Sequence, residues 1–249
     1  MIKLYGLIGN PLTHSFSKEY FDRKFHLENN SNCQYQLFPL KSMAEFHNLI
    51  TDHNNLLGLN VTIPFKKEVL NYLDHLSAEA AEAGAVNCLK IDRSSGNPYL
   101  TGHNTDIYGF EQSLKPLLKA RHRKALILGT GGSSAAVAFV LKSLDVDFYS
   151  VSRKPQKSDQ IKYDSLTREI IREHLLIINA TPVGMFPNIS QFPDIPYEWI
   201  TPEHLLFDLV YNPAETLFLK KGKEKGAITK NGQQMLHLQA EKSWEIWQQ

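Results

Sequence analysis

The 249-residue chain sets 27 lysines and arginines against 26 aspartates and glutamates, and this balance leaves no basic surplus to grip a nucleic-acid backbone. Hydrophobic residues make up 42% and charged residues 21%, a globular mix that excludes a disordered chain, a collagen-like repeat and a coiled coil. No apolar run reaches the roughly 18 residues of a membrane span, and two cysteines, Cys33 and Cys88, are too few for a disulfide framework and read as reduced thiols of a cytoplasmic protein.

Apolar runs alternate with helical patterns from the start. Residues 2–8 read as a first strand rather than a secretory leader, because the stretch is short, alternating and broken by glycine. Strands follow at 35–38, 56–63, 86–91 and 99–101. Helices are predicted at 15–27, around 43–50, near 66–73 and at 78–83. A turn cluster at 94–98 interrupts the last pair of strands. A second series begins at Lys124, with strands at 125–128, 146–151, 175–179 and 205–210, and an Ala/Val-rich helix from Ser133 to Leu144. The alternation argues for βαβ units in mostly parallel sheets. Two such series need two cores, which puts a boundary near residues 102–106. A last helical pattern at 233–247 either caps the second domain or crosses back to the first.

The strand at 125–128 runs into Gly129-Thr130-Gly131-Gly132-Ser133 and then a helix. Gly129 permits a tight turn, Gly131 lets the backbone approach a pyrophosphate, and the helix N-terminus offers free N–H groups and a positive dipole end. A glycine cluster alone is usually just a turn; the strand before it and the helix after it make it a dinucleotide site. The next strand selects the nucleotide. An NAD site ordinarily places an acidic residue there for the ribose 2′-hydroxyl, whereas this chain has Ser152-Arg153-Lys154. A guanidinium, an ammonium and a hydroxyl suit a 2′-phosphate, so NADP is the expected cofactor.

Three polar clusters mark the first half at strand ends and loops, where open α/β sheets place ligands. Ser15 and Ser17 stand at a helix start, where either alone would serve as a cap and both together suit a substrate carboxylate. Asn60-Val61-Thr62-Ile63-Pro64-Phe65-Lys66 leaves a strand, with a lysine placed to exchange a proton or simply to lie in solvent. Asn87, after Ala85-Val86, and Asp106, closing Gly102-His103-Asn104-Thr105-Asp106, form the third cluster; taken singly, Asn87 reads better as a turn residue and Asp106 as a helix-start carboxylate. The ten histidines show no ligand spacing such as His-x-x-x-His, so no metal site is expected.

Taken together these motifs resemble the shikimate dehydrogenase family. The matching segments are Asn-Pro-Leu-x-His-Ser-x-Ser at 10–17, Asn-Val-Thr-Ile-Pro-x-Lys at 60–66, Ala-Val-Asn at 85–87 and Gly-x-Asn-Thr-Asp at 102–106. The Gly-x-Gly-Gly turn at 129–132, Asn-Ala-Thr-Pro-x-Gly-Met at 179–185, Asp-x-x-Tyr-x-Pro at 208–213 and Gly-x-x-Met-Leu-x-x-Gln at 232–239 complete an ordered set over essentially the whole chain. The resemblance implies reversible, NADPH-dependent reduction of 3-dehydroshikimate to shikimate, a step of aromatic amino-acid biosynthesis. It also implies an α/β protein of two domains. Residues 1–103, joined by a returning C-terminal helix at 233–249, would form the substrate domain, and 104–232 a Rossmann-like NADP domain.

By the same resemblance Lys66 and Asp106 are the catalytic pair, and Ser15, Ser17, Thr62, Asn87, Tyr211 and Gln239 contact substrate. Gly129, Gly131, Gly132 and Ser133 meet the pyrophosphate, and Ser152, Arg153 and Lys154 the adenosine end. Met185, Val210 and Gly232 lie near the nicotinamide. The implied assembly is a monomer or homodimer acting on a small molecule, away from nucleic acid and membranes. Lys18, Cys88, Thr130 and Ser152 depart from the residues common in the family, and none removes a group that the chemistry requires. The rivals are a quinate-active relative using NAD, a cofactor-binding regulatory protein without turnover, and a methylenetetrahydrofolate dehydrogenase-like enzyme. The last leaves the paired serines unexplained.

Overall fold

A computed structural model describes residues 2–12 and 16–249. The chain divides into two compact units, Met1–Thr105 with Ala240–Gln249, and Asp106–Gln239. It passes from one to the other inside helices, at 105/106 and at 239/240. The first seven residues of the last helix therefore group with the second unit.

Unit 1 contains β1 (Lys3–Gly9), α1 (Phe16–Leu27), β2 (Cys33–Pro39), α2 (Phe46–Asp52), β3 (Leu56–Val61), β4 (His75–Leu76), α3 (Ala78–Ala83), β5 (Cys88–Asp92) and β6 (Tyr99–His103). Its sheet runs β2-β1-β3-β5-β6-β4. β1 pairs parallel with β2 and β3, and β4 parallel with β6, whereas β5 is antiparallel to both β3 and β6. Along β1 the side chains alternate between two cores. Leu4 and Ile8 join Phe46, Leu59 and Val61 on one face, and Tyr5 and Leu7 join Phe21, Phe25 and Tyr35 on the other, the period of two expected of a strand buried on both faces. A register shift against β1 between Leu4 and Tyr5 lets β3 keep its apolar side chains on the correct faces.

The helix anticipated near 66–73 is instead a 3-10 segment, Glu68–Tyr72, with no side-chain cap. Five residues ending in extended backbone at Leu73 are too few to repay α-helix nucleation. By contrast α3 persists at six residues because both ends are closed. Ser77 accepts a hydrogen bond from the Ala80 N–H at 3.2 Å, and Gly84 ends the helix in the left-handed region at φ 63°.

Unit 2 contains most of α4 (Thr105–Leu114), then β7 (Lys124–Leu128), α5 (Gly132–Ser143), β8 (Asp147–Val151), β9 (Gln160–Ile161), α6 (Arg168–Glu173), β10 (Leu176–Asn179), β11 (Leu205–Asp208), α7 (Leu217–Glu224), β12 (Ile228–Lys230) and the start of α8 (Gln233–Gln248). Its sheet is parallel throughout, in the order β12-β11-β10-β7-β8-β9. The chain starts in the middle at β7, builds outward through β8 and β9, then returns to the other side of β7. That reversal falls between β7 and β10, and such sheets bind ligands beyond the C-terminal strand ends at the reversal point.

Candidate functional site

In unit 1 the antiparallel course of β5 gathers the polar motifs at one end of the sheet. Cys88 pairs with Asn60 at the end of β3 and with His103 at the end of β6, so Asn87 lies beside the segment that leaves β3, and Asn104 beside the segment that leads into β5. Backbone bonds tie the segments together. Thr62 N–H donates to Ile8 O at 2.9 Å, Asn10 N–H to Ile63 O at 3.0 Å, Val86 N–H to Lys66 O at 2.8 Å and Asn87 N–H to His103 O at 3.1 Å. The structure thus brings Thr62, Lys66 and Asn87 to one end of the sheet. Thr62 and Lys66 are half-buried and Asn87 is buried. The Asn87 amide is oriented by its neighbour: its Oδ1 accepts the Thr105 N–H at 2.6 Å, and its Nδ2 donates to Thr105 Oγ1 at 3.0 Å. Ser17, in the first turn of α1, hydrogen-bonds the Tyr35 hydroxyl; Ser15 lies outside the described residues.

Within unit 2, Asp106 occupies the first turn of α4 and is buried. One turn later Gly109 faces α8 so closely that a Cβ would stand 2.6 Å from Met235 O and 3.2 Å from Gln239 Cβ. Residues three apart share a helix face, so Asp106 and Gln239 are carried on the contacting faces of α4 and α8. Gln239 is itself buried and donates from Nε2 to Leu236 O at 3.0 Å. Tyr211 is half-buried beyond the end of β11.

The glycine turn sits at the sheet's reversal point. Gly129 has φ +115°, a backbone conformation in which any Cβ is strained, and its N–H donates to Val151 O at 2.9 Å. Gly131 precedes α5 with no side-chain cap, and a Cβ there would meet open space. The first turn of α5 includes the N–H groups of Gly132 and Ser133, and the N-cap Gly131 brings no side chain to them. Beside them the Ser134 hydroxyl is buried with no hydrogen-bond partner. An orphaned hydroxyl next to a helix start whose N-cap is glycine fits a phosphate group.

Past the end of β8 the Ser152 Oγ accepts the Lys154 N–H at 3.2 Å, while Arg153 and Lys154 are exposed. The three nicotinamide-side candidates are drawn together by backbone. Phe186 N–H, next to Met185, donates to Asn212 O at 3.0 Å, and Gly232 N–H donates to Val210 O at 3.1 Å. Gly232 admits no side chain, because a Cβ would stand 2.1 Å from Leu209 O.

Sequence reasoning gave no role to the group that organises these loops. Asp208 is fully buried. Its Oδ1 accepts Asn179 Nδ2 at 2.9 Å and the Val210 N–H at 3.0 Å, and its Oδ2 accepts the Thr216 hydroxyl at 2.5 Å. Burial pushes this carboxyl up to about 6 despite those three donors. The available signals were its place at the head of the Asp-x-x-Tyr-x-Pro motif and at the end of an otherwise apolar strand. Asn60 and Thr105, which hold the unit 1 site, carried only the signal of lying inside quoted motifs.

Known proteins resemble this chain over nearly its whole length. A family model described as the shikimate dehydrogenase substrate binding domain matches residues 7–89. The shikimate dehydrogenase (NADP(+)) of Carboxydothermus hydrogenoformans is 35% identical over 98% of this chain and 91% of its own length. Among solved structures, a chorismate mutase/shikimate 5-dehydrogenase fusion protein from Clostridium acetobutylicum aligns with a TM-score of 0.86 at 35% identity, over 99% of this chain and 91% of that one. The Thermus thermophilus shikimate 5-dehydrogenase, solved with NADP(H) and shikimate, aligns at 0.85 and 30% identity, over 99% and 93% of the two chains. Identity at this level over nearly the full length of these relatives, with the motif residues gathered at the sheet ends, places the chain in the shikimate dehydrogenase family.

Proposed function

We propose that this chain catalyses the reversible, NADP-dependent reduction of 3-dehydroshikimate to shikimate. The observation that carries the reading is its full-length likeness to NADP-dependent shikimate dehydrogenases, in a chain whose Thr62, Lys66 and Asn87 lie at one end of the first sheet. Gly129, Gly131, Gly132 and Ser133 would hold the pyrophosphate, Ser152, Arg153 and Lys154 the adenosine end with its 2′-phosphate, and Met185, Val210 and Gly232 the nicotinamide. When bound, the cofactor supplies a hydride to the ketone carbon.

The remaining work belongs to the protein. Ser15 and Ser17 hold the ring carboxylate, and Thr62, Asn87 and Gln239 the hydroxyls, with Tyr211 beside them. This fixes which ring carbon faces the reaction. Lys66 Nζ gives a proton to the carbonyl oxygen as it is reduced and takes one back in the reverse direction, a role worth roughly 10²–10⁴-fold. Asp106 accepts a hydrogen bond from the same hydroxyl. Residues 1–103 with the closing helix serve as the substrate domain and 104–232 as the cofactor domain. An absorbance assay at the nicotinamide band, with purified protein, shikimate and NADP, tests the reading: steady appearance of reduced cofactor is expected, and none at millimolar substrate overturns it. The same assay with quinate and with NAD ranks the alternatives by kcat/KM.

A further inference from the structure

The face of α8 that packs into unit 1 is aromatic and apolar, with Ala240, Ile246 and Trp247 in the core, and it carries one hydroxyl. Ser243 lies three residues after Ala240 and four before Trp247, on the same face, and is fully buried. A hydroxyl there costs stability unless it is hydrogen-bonded, and this one joins two parts of the site. Its Oγ accepts Asn60 Nδ2 at 2.9 Å and lies 3.1 Å from Thr105 Oγ1; it also bonds the Cys88 thiol.

The direction of the bonds is set from the far side. The Tyr35 hydroxyl donates to Asn60 Oδ1 at 2.8 Å, which turns the Asn60 Nδ2 toward Ser243. The serine accepts from Asn60 and shares a hydrogen bond with the Thr105 hydroxyl in which either oxygen can donate, and that hydroxyl lies 3.2 Å from Asn87 Oδ1. All these groups belong to unit 1. Asn60 precedes Thr62 and Lys66 by a few residues, and Thr105 directly precedes Asp106.

We infer that Ser243 is a positioning residue for substrate: through Thr105 it fixes the Asn87 amide, and through Asn60 it fixes the strand end that presents Thr62 and Lys66. The inference rests on the reading of Asn87 as a substrate contact. Steady-state kinetics on the full chain with shikimate and NADP test it. An inactive wild-type chain overturns the functional reading and this inference with it. With an active wild type, Ser243→Ala is expected to raise the KM for shikimate about 3–10-fold, the worth of one buried hydrogen bond, with the KM for NADP unchanged and kcat reduced less than twofold. Thr105→Val should do the same, the double variant should be no worse than the poorer single, and Thr105→Ser should restore the wild-type KM. A purely structural serine would lower the melting temperature and leave the shikimate KM of the folded enzyme alone; that result, or additive effects of the two substitutions, overturns the inference. Should Ser243→Ala fail to fold, Thr105→Val with an unchanged shikimate KM is the overturning outcome.

Discussion

Lys66 and Arg153 stand on different units and should fail in different ways. Lys66→Ala removes the proton source and is expected to lower kcat by about 10²–10⁴-fold with a smaller change in the shikimate KM; a retained kcat would leave Lys66 only a binding role. Arg153→Ala is expected to raise the KM for NADP at least about tenfold while leaving that for NAD within about twofold, since the guanidinium would address only the 2′-phosphate. Equal losses for both cofactors would remove the phosphate assignment.

Asp208 makes a pH prediction. Its folded carboxyl titrates near 6 against about 3.9 in an unfolded chain, so between those values the folded state holds a proton that the unfolded state has released. Stability then falls as pH rises from about 4 to about 6, by on the order of 3 kcal/mol, and levels above 6. Burial lowers the pKa values of His103, His122, His174 and His204, which contributes the opposite slope up to about 6.5. The difference in unfolding free energy between wild type and Asp208→Asn cancels the histidines and should carry the carboxyl slope; a flat difference refutes it. Lys66 and Arg153 were legible because each sits inside a motif read along the chain. Asp208 opens the Asp-x-x-Tyr-x-Pro motif, but its role was not legible, because its partner Asn179 reaches it only once β10 and β11 pair.

Among elements, the most exacting contact is the approach of the turn before α8 to the turn after β11. Gly232→Ala would drive a methyl into the Leu209 carbonyl, and neither backbone can yield without shifting Val210. A loss of roughly 1–3 kcal/mol is expected, together with a higher KM for NADP; thermal melting and a cofactor titration check both. The strong elements were readable: β1, β3, β7, β10 and β11 are buried apolar runs, and α5 follows glycine with an unbroken Ala/Val pattern. The weak ones were not. α6 has six residues held by a Thr167 cap, and β9 and β12 have two and three residues at sheet edges. Such pieces exist because tertiary pairing supports them, and their local sequence carries no period. The boundary expected near residues 102–106 rests on two series needing two cores; what fixes the start of α4 there was not legible, since the acceptor that closes its first N–H comes from Asn87.

At the scale of the molecule, each unit has its own sheet and core, but unit 1 draws part of its core from the last turns of α8. Trp247 stacks on Tyr5 at 5.0 Å between ring centroids, gives its indole N–H to Leu89 O at 2.9 Å, and covers Gly58 so closely that a Cβ there would meet its ring at 2.3 Å. Trp247→Ala is expected to cost about 3–5 kcal/mol, measured by urea unfolding, with loss of protection at the Gly58 and Leu89 amides in hydrogen exchange. A change below about 1 kcal/mol would show that the aromatic face closes without it. The sequence left this helix with two destinations, since its apolar stripe suits either unit and a stripe does not name its partner.

The Trp247 contact bears on how the protein is made. A ribosome releases the strands of unit 1 first and the indole that completes their packing only after all of unit 2 has emerged. Throughout that interval the nascent aromatic face lacks Trp244 and Trp247, and transiently bare apolar surface of this kind invites misassociation. Chaperone demand for this enzyme should therefore peak late in translation, on the half that was synthesised earliest.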